Sequence, residues 1–158
     1  VIIARPFNTY GPRQSSRAII PTIFSQLMLG NELSLGNLLP TRDLTYVTDT
    51  CRGFIELANS SNLNGEVINI GSNKEISIGD LADLIKDIVG NKMKITESKE
   101  RFRPEKSEVD RLICDNSKIC RLTSWRPQIE LKAGLTNVYD WMQSIDLNQV
   151  YKADRYNV

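Results

Sequence analysis

Three stretches of the chain carry side chains suited to holding an anion, and none carries an obvious nucleophile. In Arg5-Pro6-Phe7-Asn8-Thr9-Tyr10-Gly11-Pro12-Arg13, Asn8 follows an apolar run and offers amide donors that suit a phosphate or a sugar hydroxyl. A plainer alternative makes Asn8 a turn residue and Arg5 a satisfied structural ion. In Thr41-Arg42-Asp43-Leu44-Thr45-Tyr46-Val47, Arg42 stands at a loop–strand junction, where a guanidinium can grip a phosphate with two parallel hydrogen bonds. The alternative there is an Arg42–Asp43 surface pair, worth little. The third stretch mixes Arg101, Arg103, Lys106 and Arg111 with Glu100, Glu105, Glu108 and Asp110. It reads either as a solvated loop or as an arm bringing Arg103 over a bound anion, and the charge pattern does not choose between them. The chain has no histidine, which excludes a Ser-His-Asp triad, a Cys-His pair and histidine-ligated zinc within it. No catalytic residue and no metal ligand is assigned, and no glycine-rich phosphate loop is present.

The elements that must position these loops alternate between strand and helix. Val1–Ala4 reads as a buried strand of a parallel sheet. Such a strand needs neighbours on both sides, so a preceding segment is expected. A loop follows from Arg5 to Arg17. Ile20, Ile23, Phe24, Leu27 and Met28 then recur at helical spacing up to Gly30. Strands are expected at Leu33–Leu35 and Asp43–Val47. Thr48 can cap a second helix, with Asp49 in its first turn and Cys51, Phe54, Ile55 and Ala58 on its buried face. Val67, Ile68 and Ile70 make another strand. Ser77 and Asp80 form a capping box for a helix with Leu81, Leu84, Ile85, Ile88 and Val89 inward and Gly90 at its end. A strand at Met93–Thr96, a charged loop from Arg101 to Glu108, a short helix capped near Asn116 or Ser117, and a last helix with Leu131, Leu135, Val138, Met142 and Ile145 complete the order. This alternation predicts an α/β protein, with function on loops at the carboxyl ends of strands.

Bulk properties narrow the partners. A net charge of +1 gives no field that favours nucleic acid or a membrane surface. No apolar run is long enough to span a bilayer. Cys51, Cys114 and Cys120 show no CxxC spacing and read as buried, reduced thiols, which points to the cytoplasm.

Taken in order, Arg5–Pro12, then Arg42-Asp43-Leu44-Thr45-Tyr46-Val47-Thr48-Asp49, then Val67-Ile68-Asn69-Ile70-Gly71, then Arg103-Pro104-Glu105-Lys106-Ser107-Glu108, then Asp115-Asn116-Ser117-Lys118 resemble the extended short-chain dehydrogenases that act on nucleotide sugars. Trp125-Arg126-Pro127, Gly134-Leu135 and Trp141 are similar to that family's ending. The stretch from Arg103 resembles the 4,6-dehydratases, closest to those acting on GDP-N-acetylglucosamine or dTDP-glucose. UDP-sugar 4-epimerases share the other motifs.

The resemblance implies the C-terminal portion of a Rossmann-fold enzyme: the last strands of its parallel sheet plus a small α/β substrate-binding domain. It covers residues 1–145, with 146–158 as a peripheral tail. It implies that Asn8, Arg42 and Arg103 bind the substrate diphosphate, that Ile19 and Ile20 meet the nucleotide, and that Leu35 and Gly36 lie near the base. Pro6 and Phe7 would lie beside the nicotinamide of NAD, which the N-terminal half mainly binds. Many relatives have Gly-Asp-Gly before the Arg-Asp pair, whereas Gly36-Asn37-Leu38-Leu39-Pro40 stands here, so the nucleotide stays open. The family's Tyr-x-x-x-Lys pair is absent: neither Tyr10, Tyr46 nor Tyr139 has a lysine four residues on. The implied whole is a homodimeric, NAD-dependent nucleotide-sugar 4,6-dehydratase, inactive as this segment alone. A 4-epimerase and a non-catalytic binder are the alternatives.

Overall fold

The computed structural model describes residues 1–101 and 109–151. Within it the chain divides into two compact units. The first gathers Val1–Tyr10, Thr41–Ile76 and Arg111–Leu131; the second gathers Gly11–Pro40, Ser77–Asp110 and the chain from Lys132 on.

The first unit is built on parallel pairings. β1 (Ile3–Pro6) runs parallel to β6 (Val67–Ile70), with Ile3 opposite Val67 and Pro6 opposite Ile70. One face of this pair is covered. Ile2 and Ala4 pack with Leu57, Leu63, Ile68, Ile70, Ile119 and Trp125, beneath helices α2 (Val47–Ala58) and α4 (Ser117–Leu122). The other face is bare. Val1 is 95% and Ile3 50% exposed, so the first strand is not the buried strand expected, and it runs to Pro6 instead of Ala4. Among the described residues it has a neighbour on one edge only, whereas parallel strands are normally covered on both faces.

The expected strand over Asp43–Val47 divides in two. β4 (Thr41–Asp43) is the middle of three strands, between β7 (Glu75–Ser77) and β9 (Arg111–Leu112), while β5 (Thr45–Tyr46) pairs in parallel with β2 (Thr9–Tyr10) inside what reads as a loop. Strands of two or three residues are too short for a period-2 pattern to show.

Helix α2 begins at Val47, and Tyr46 at its N-cap makes no side-chain cap, so Thr48 is not the capping residue. Its buried face is Asp49, Thr50, Gly53 and Leu57. The expected face is turned out: Cys51 and Ala58 are exposed, Phe54 is 45% exposed and Ile55 59%. Close approach decides this. A Cβ at Gly53 would lie 2.8 Å from Ile70 Cγ2 and 3.3 Å from Trp125 Nε1, so only glycine lets the helix lie this near β6. Asp49, 1% exposed, is satisfied inside: Oδ2 accepts from the Gln128 and Ile129 amides at 3.0 and 2.9 Å, and Oδ1 from Arg52.

The second unit packs α1 (Ile19–Leu29), α3 (Ile78–Val89) and α5 (Leu131–Gln143, from Lys132) with the parallel pair β3 (Leu33–Leu35) and β8 (Ile95–Glu97). Ile20, Ile23, Phe24 and Leu27 are buried on α1, and the Phe24 ring stacks on Tyr139 at 6.0 Å. Ser77 caps α3 as expected: the Asp80 amide donates to Ser77 Oγ at 3.0 Å, and Ser77 Oγ, in place of the Ser77 amide of a full capping box, donates to Asp80 Oδ2 at 2.6 Å. Gly90 ends the helix at φ +73, where a side chain would be strained. Leu81 and Ile85 are fully buried, and Leu84 only half. The tail expected to be peripheral is docked as far as Tyr151: Leu147 opens α6 (Leu147–Val150) 7% exposed, and Tyr151 is 3% exposed. The Tyr151 hydroxyl donates to the Gln14 carbonyl at 2.8 Å and its ring meets Trp141 edge-on.

Candidate functional site

In the first unit the chain leaves β1 through Pro6 and Phe7 and enters β2 through Asn8. Phe7 donates its amide to the Ile70 carbonyl at 2.9 Å, so the end of β1 stays zipped to β6. The Asn8 carbonyl accepts from the Thr45 amide at 3.0 Å, and Asn8 Nδ2 donates to the Asp43 carbonyl at 3.3 Å. Asn8 is exposed and Arg42 half-buried. These bonds bring Asn8 to the strand that carries Arg42, although the two are 34 positions apart (42 − 8) in sequence. Arg42 Nη1 donates to the Thr41 carbonyl at 2.8 Å, which bends the guanidinium along its own strand.

What fixes this strand is Asp43. It is fully buried, so it is no partner in a surface pair. Oδ1 accepts from the Ser72 amide at 2.9 Å, the Ser72 hydroxyl at 2.7 Å and the Thr45 hydroxyl at 3.3 Å. Oδ2 accepts from the Asn73 amide at 2.8 Å and the Cys114 amide at 3.1 Å. One carboxylate thus ties β4 to the turn after β6 and to the chain after β9. Burying a charge is tolerable only when donors surround it in this way. Burial, with Asp43 the first of the neighbouring charges, pushes the Cys114 thiol up to about 12. Cys114 is therefore inert; Cys120 is half-buried, and Cys51 is exposed instead of buried.

At the start of β4, Thr41 Oγ1 donates to Glu75 Oε2 at 2.6 Å. Arg111 donates to the same carboxylate through Nε, at 3.0 and 2.9 Å, and through Nη2 at 2.7 Å. Hydrogen bonds from Arg111 first, and from Thr41 second, hold the Glu75 carboxyl down to about 2. Sequence reasoning grouped Arg111 with the charged loop and passed over Asp43 and Glu75. The readable signal for Asp43 was its place directly before the apolar Leu44 and the Thr45-Tyr46 pair, where a solvated carboxylate is out of keeping.

The other candidate positions lie in the second unit. Ile19 opens α1 half-buried, and Ile20 beside it is 1% exposed. Leu35 ends β3 at 1% exposed. Gly36 leaves no room for a side chain, since a Cβ would lie 2.5 Å from the Arg101 carbonyl. The loop that stands in for Gly-Asp-Gly is held by helix amides: Ile78 N donates to the Pro40 carbonyl and Gly79 N to the Leu38 carbonyl, each at 3.0 Å. Arg103 lies outside the described residues.

A cleft of about 250 Å³ in the first unit is lined by Leu44, Ile76, Pro127, Ile129 and Leu131 and rimmed by Lys74, which pairs with Glu130 at 3.0 Å. It includes neither Asn8 nor Arg42, so this cleft is distinct from the candidate site, and Ser72 and Glu75 also line it. Among the described residues no cluster of histidine, cysteine, aspartate and glutamate could hold a metal ion, and no helix is long and apolar enough to cross a membrane.

Against known proteins, the family model described as GDP-mannose 4,6 dehydratase matches residues 1–138. A putative UDP-glucose 4-epimerase of Methanocaldococcus jannaschii is 35% identical over 146 residues, covering 90% of this chain and 45% of that protein. The human dTDP-D-glucose 4,6-dehydratase is 30% identical, covering 89% of this chain and 41% of that protein. The crystal structure of UDP-glucuronic acid 4-epimerase from Bacillus cereus, in complex with UDP-glucuronic acid and NAD, superposes with a TM-score of 0.83 at 31% identity, covering 90% of this chain and 45% of that one. The chain therefore spans about half the length of these relatives, and it aligns to their C-terminal part. The paired parallel strands, the Asn8 turn and the Arg42-Asp43 strand fall within the matched span, and the chain belongs to the family of NAD-dependent nucleotide-sugar dehydratases and epimerases.

Proposed function

We propose that this chain supplies the diphosphate-binding part of a nucleotide-sugar 4,6-dehydratase. The observation that carries it is the Asn8 amide bonded to the Asp43 carbonyl, next to Arg42 in the strand. An amide donor and a guanidinium on adjoining backbone suit an anion with several oxygens. Arg103 is proposed as the second guanidinium, and Ile19, Ile20, Leu35 and Gly36 as the nucleotide wall. Asn8 and Arg42 bind the part of the substrate that does not react, so their contribution is to orient the sugar.

NAD would supply the hydride acceptor and donor in the whole protein. The residues present fit a limited share of its binding: Pro6, exposed, and Phe7, half-buried, offer an apolar wall to a flat ring at the carboxyl end of β1. The dinucleotide's phosphates would be held by a partner half-sheet. The bare face and open edge of β1, with the outward Cys51, Phe54, Ile55 and Ala58 stripe, fit such a half-sheet as their cover. Residues 1–145 would thus act as one functional part of a longer, homodimeric, cytoplasmic enzyme, and by themselves turn over nothing.

A 4-epimerase is the second reading, favoured by the names of the Methanocaldococcus and Bacillus cereus relatives. Incubating the full-length protein and NAD with UDP-, GDP- and dTDP-hexoses, and reading the products by NMR, separates them. A 4-keto-6-deoxy sugar is expected; a C4 epimer alone sinks the dehydratase assignment. No turnover and no nucleotide-sugar binding would leave the family's fold without its chemistry.

A further inference from the structure

The three-stranded sheet β7-β4-β9 is small. Between β4 and β9 only Thr41 and Arg42 have strand partners, Arg111 and Leu112. Two residues of pairing hold a strand weakly, since sheets gain stability from length and from cross-strand side chains. The Glu75 carboxylate compensates. It stands on β7, accepts the Thr41 hydroxyl from β4, and receives the Arg111 guanidinium fork from β9, so one ionic strap crosses all three strands. Of the other ion pairs among the described residues, Arg52–Asp49 and Lys86–Asp83 join positions three apart on one helix, Lys74–Glu130 joins two side chains that are 70% and 75% exposed, and Lys118–Glu66 ties α4 to the residue before β6. None of these can align a sheet. A forked, charge-assisted contact also fixes direction as well as distance.

Thr41 faces the strap. Side chains alternate along a strand, so Arg42, the next residue, projects from the opposite face. We propose that Glu75 is a positioning residue for Arg42: with Arg111 it locks one face of β4 so that the anion-binding arginine is presented from the other in a single orientation. Glu75 touches no substrate and acts through the strand. This rests on the proposed diphosphate role of Arg42, but it makes a separate claim about the arginine itself.

The test uses the full-length protein, labelled with 15N-arginine, in wild-type form and as E75Q, R111K and the E75Q/R111Q double variant. Two things are measured: the Arg42 Nε signal without ligand, and binding of UDP, GDP and dTDP, each against its own nucleoside. The expected result is a shifted or broadened Arg42 Nε signal in every variant, with cooperative unfolding retained at a somewhat lower midpoint. Diphosphate affinity should fall about tenfold while nucleoside affinity holds, the size of one charged hydrogen bond. R111K keeps the charge without the fork and should fall between wild type and E75Q. The double variant should lose no more than E75Q, because both substitutions cut one strap.

If wild type binds a diphosphate and E75Q binds it equally well with an unmoved Arg42 signal, Glu75 does not position Arg42. An equal loss for nucleoside and diphosphate likewise overturns it, since that marks a general loss of structure. If no diphosphate binds to wild type but the Arg42 signal still moves in E75Q, the positioning claim stands and the diphosphate assignment falls. If neither occurs, both fall.

Discussion

Ser72 Oγ donates to Asp43 Oδ1 at 2.7 Å, which joins the turn after β6 to the strand that bears Arg42. Because the carboxylate is fully buried and also takes main-chain amides from Ser72, Asn73 and Cys114, it tolerates no neutral substitute. In D43N an NH2 group would face amide donors. Each donor left unsatisfied costs about 1–3 kcal/mol. Urea unfolding should show at least that loss for D43N and a smaller one for S72A, which keeps the amides paired. A D43N midpoint equal to wild type would show that the carboxylate is not the knot of the unit.

Arg42→Lys in the full-length protein should weaken nucleotide-sugar binding by about 1–3 kcal/mol, the range for hydrogen bonds to charged groups, through loss of the fork with the charge retained. NAD affinity should not change. Titration calorimetry with each ligand checks both, and an unchanged sugar-nucleotide affinity removes Arg42 from the site.

Leu81 is fully buried on α3, behind the Ser77 cap. Leu81→Ala should cost about 2–5 kcal/mol, and Leu84→Ala clearly less, because Leu84 is half-buried. Equal losses in chemical denaturation would contradict the inward direction of this face.

Acid should loosen the first unit in a defined window. The Arg111 and Thr41 hydrogen bonds hold Glu75 down to about 2, from an ordinary value of 4.5. Lys118 lowers Glu66, and hydrogen bonds from Ser117 lower Asp115. A carboxylate lowered on folding contributes stability that is complete above its unfolded value and lost as the pH falls through its folded value. The unfolding midpoint should therefore be flat near neutrality and fall between about pH 4.5 and 2. In E75Q that fall should be shallower, and an identical profile would count against the strap.

Thiol labelling should distinguish the cysteines. Exposed Cys51 should react at once with iodoacetamide, while Cys114, buried and with its thiol pushed up to about 12, should react only on unfolding. In the full-length protein Cys51 should become protected, if the α2 stripe is covered as proposed. Rapid labelling there, followed by mass spectrometry, would show that the stripe stays open.

Long periodic elements were legible in the sequence and short ones were not. The α3 helix announced itself through Ser77, Asp80 and Gly90, and β6 through Val67, Ile68 and Ile70, because each pattern is local. The α2 helix misled because its apolar stripe is real but faces outward. What turns the helix is Gly53 against Ile70 and Asp49 against residues 128 and 129, and contacts so distant in sequence leave no mark in a helical period. Arg42 and Asn8 were legible as anion-binding types and as motif positions. Their junction through the Asp43 carbonyl, and the strap from Glu75 to Arg111, depend on strand pairing over dozens of residues, which no spacing rule encodes.

The open edge of β1 has a consequence for handling the molecule. Among the described residues β1 has one unpaired edge and turns Val1 and Ile3 outward, so in isolation it would offer a template on which another copy could extend the sheet. Two residues oppose that growth. Arg5 puts a charge on the exposed strand, and Pro6 removes a main-chain donor at its end. Replacing either with valine would turn a brake into an invitation to fibrous assembly.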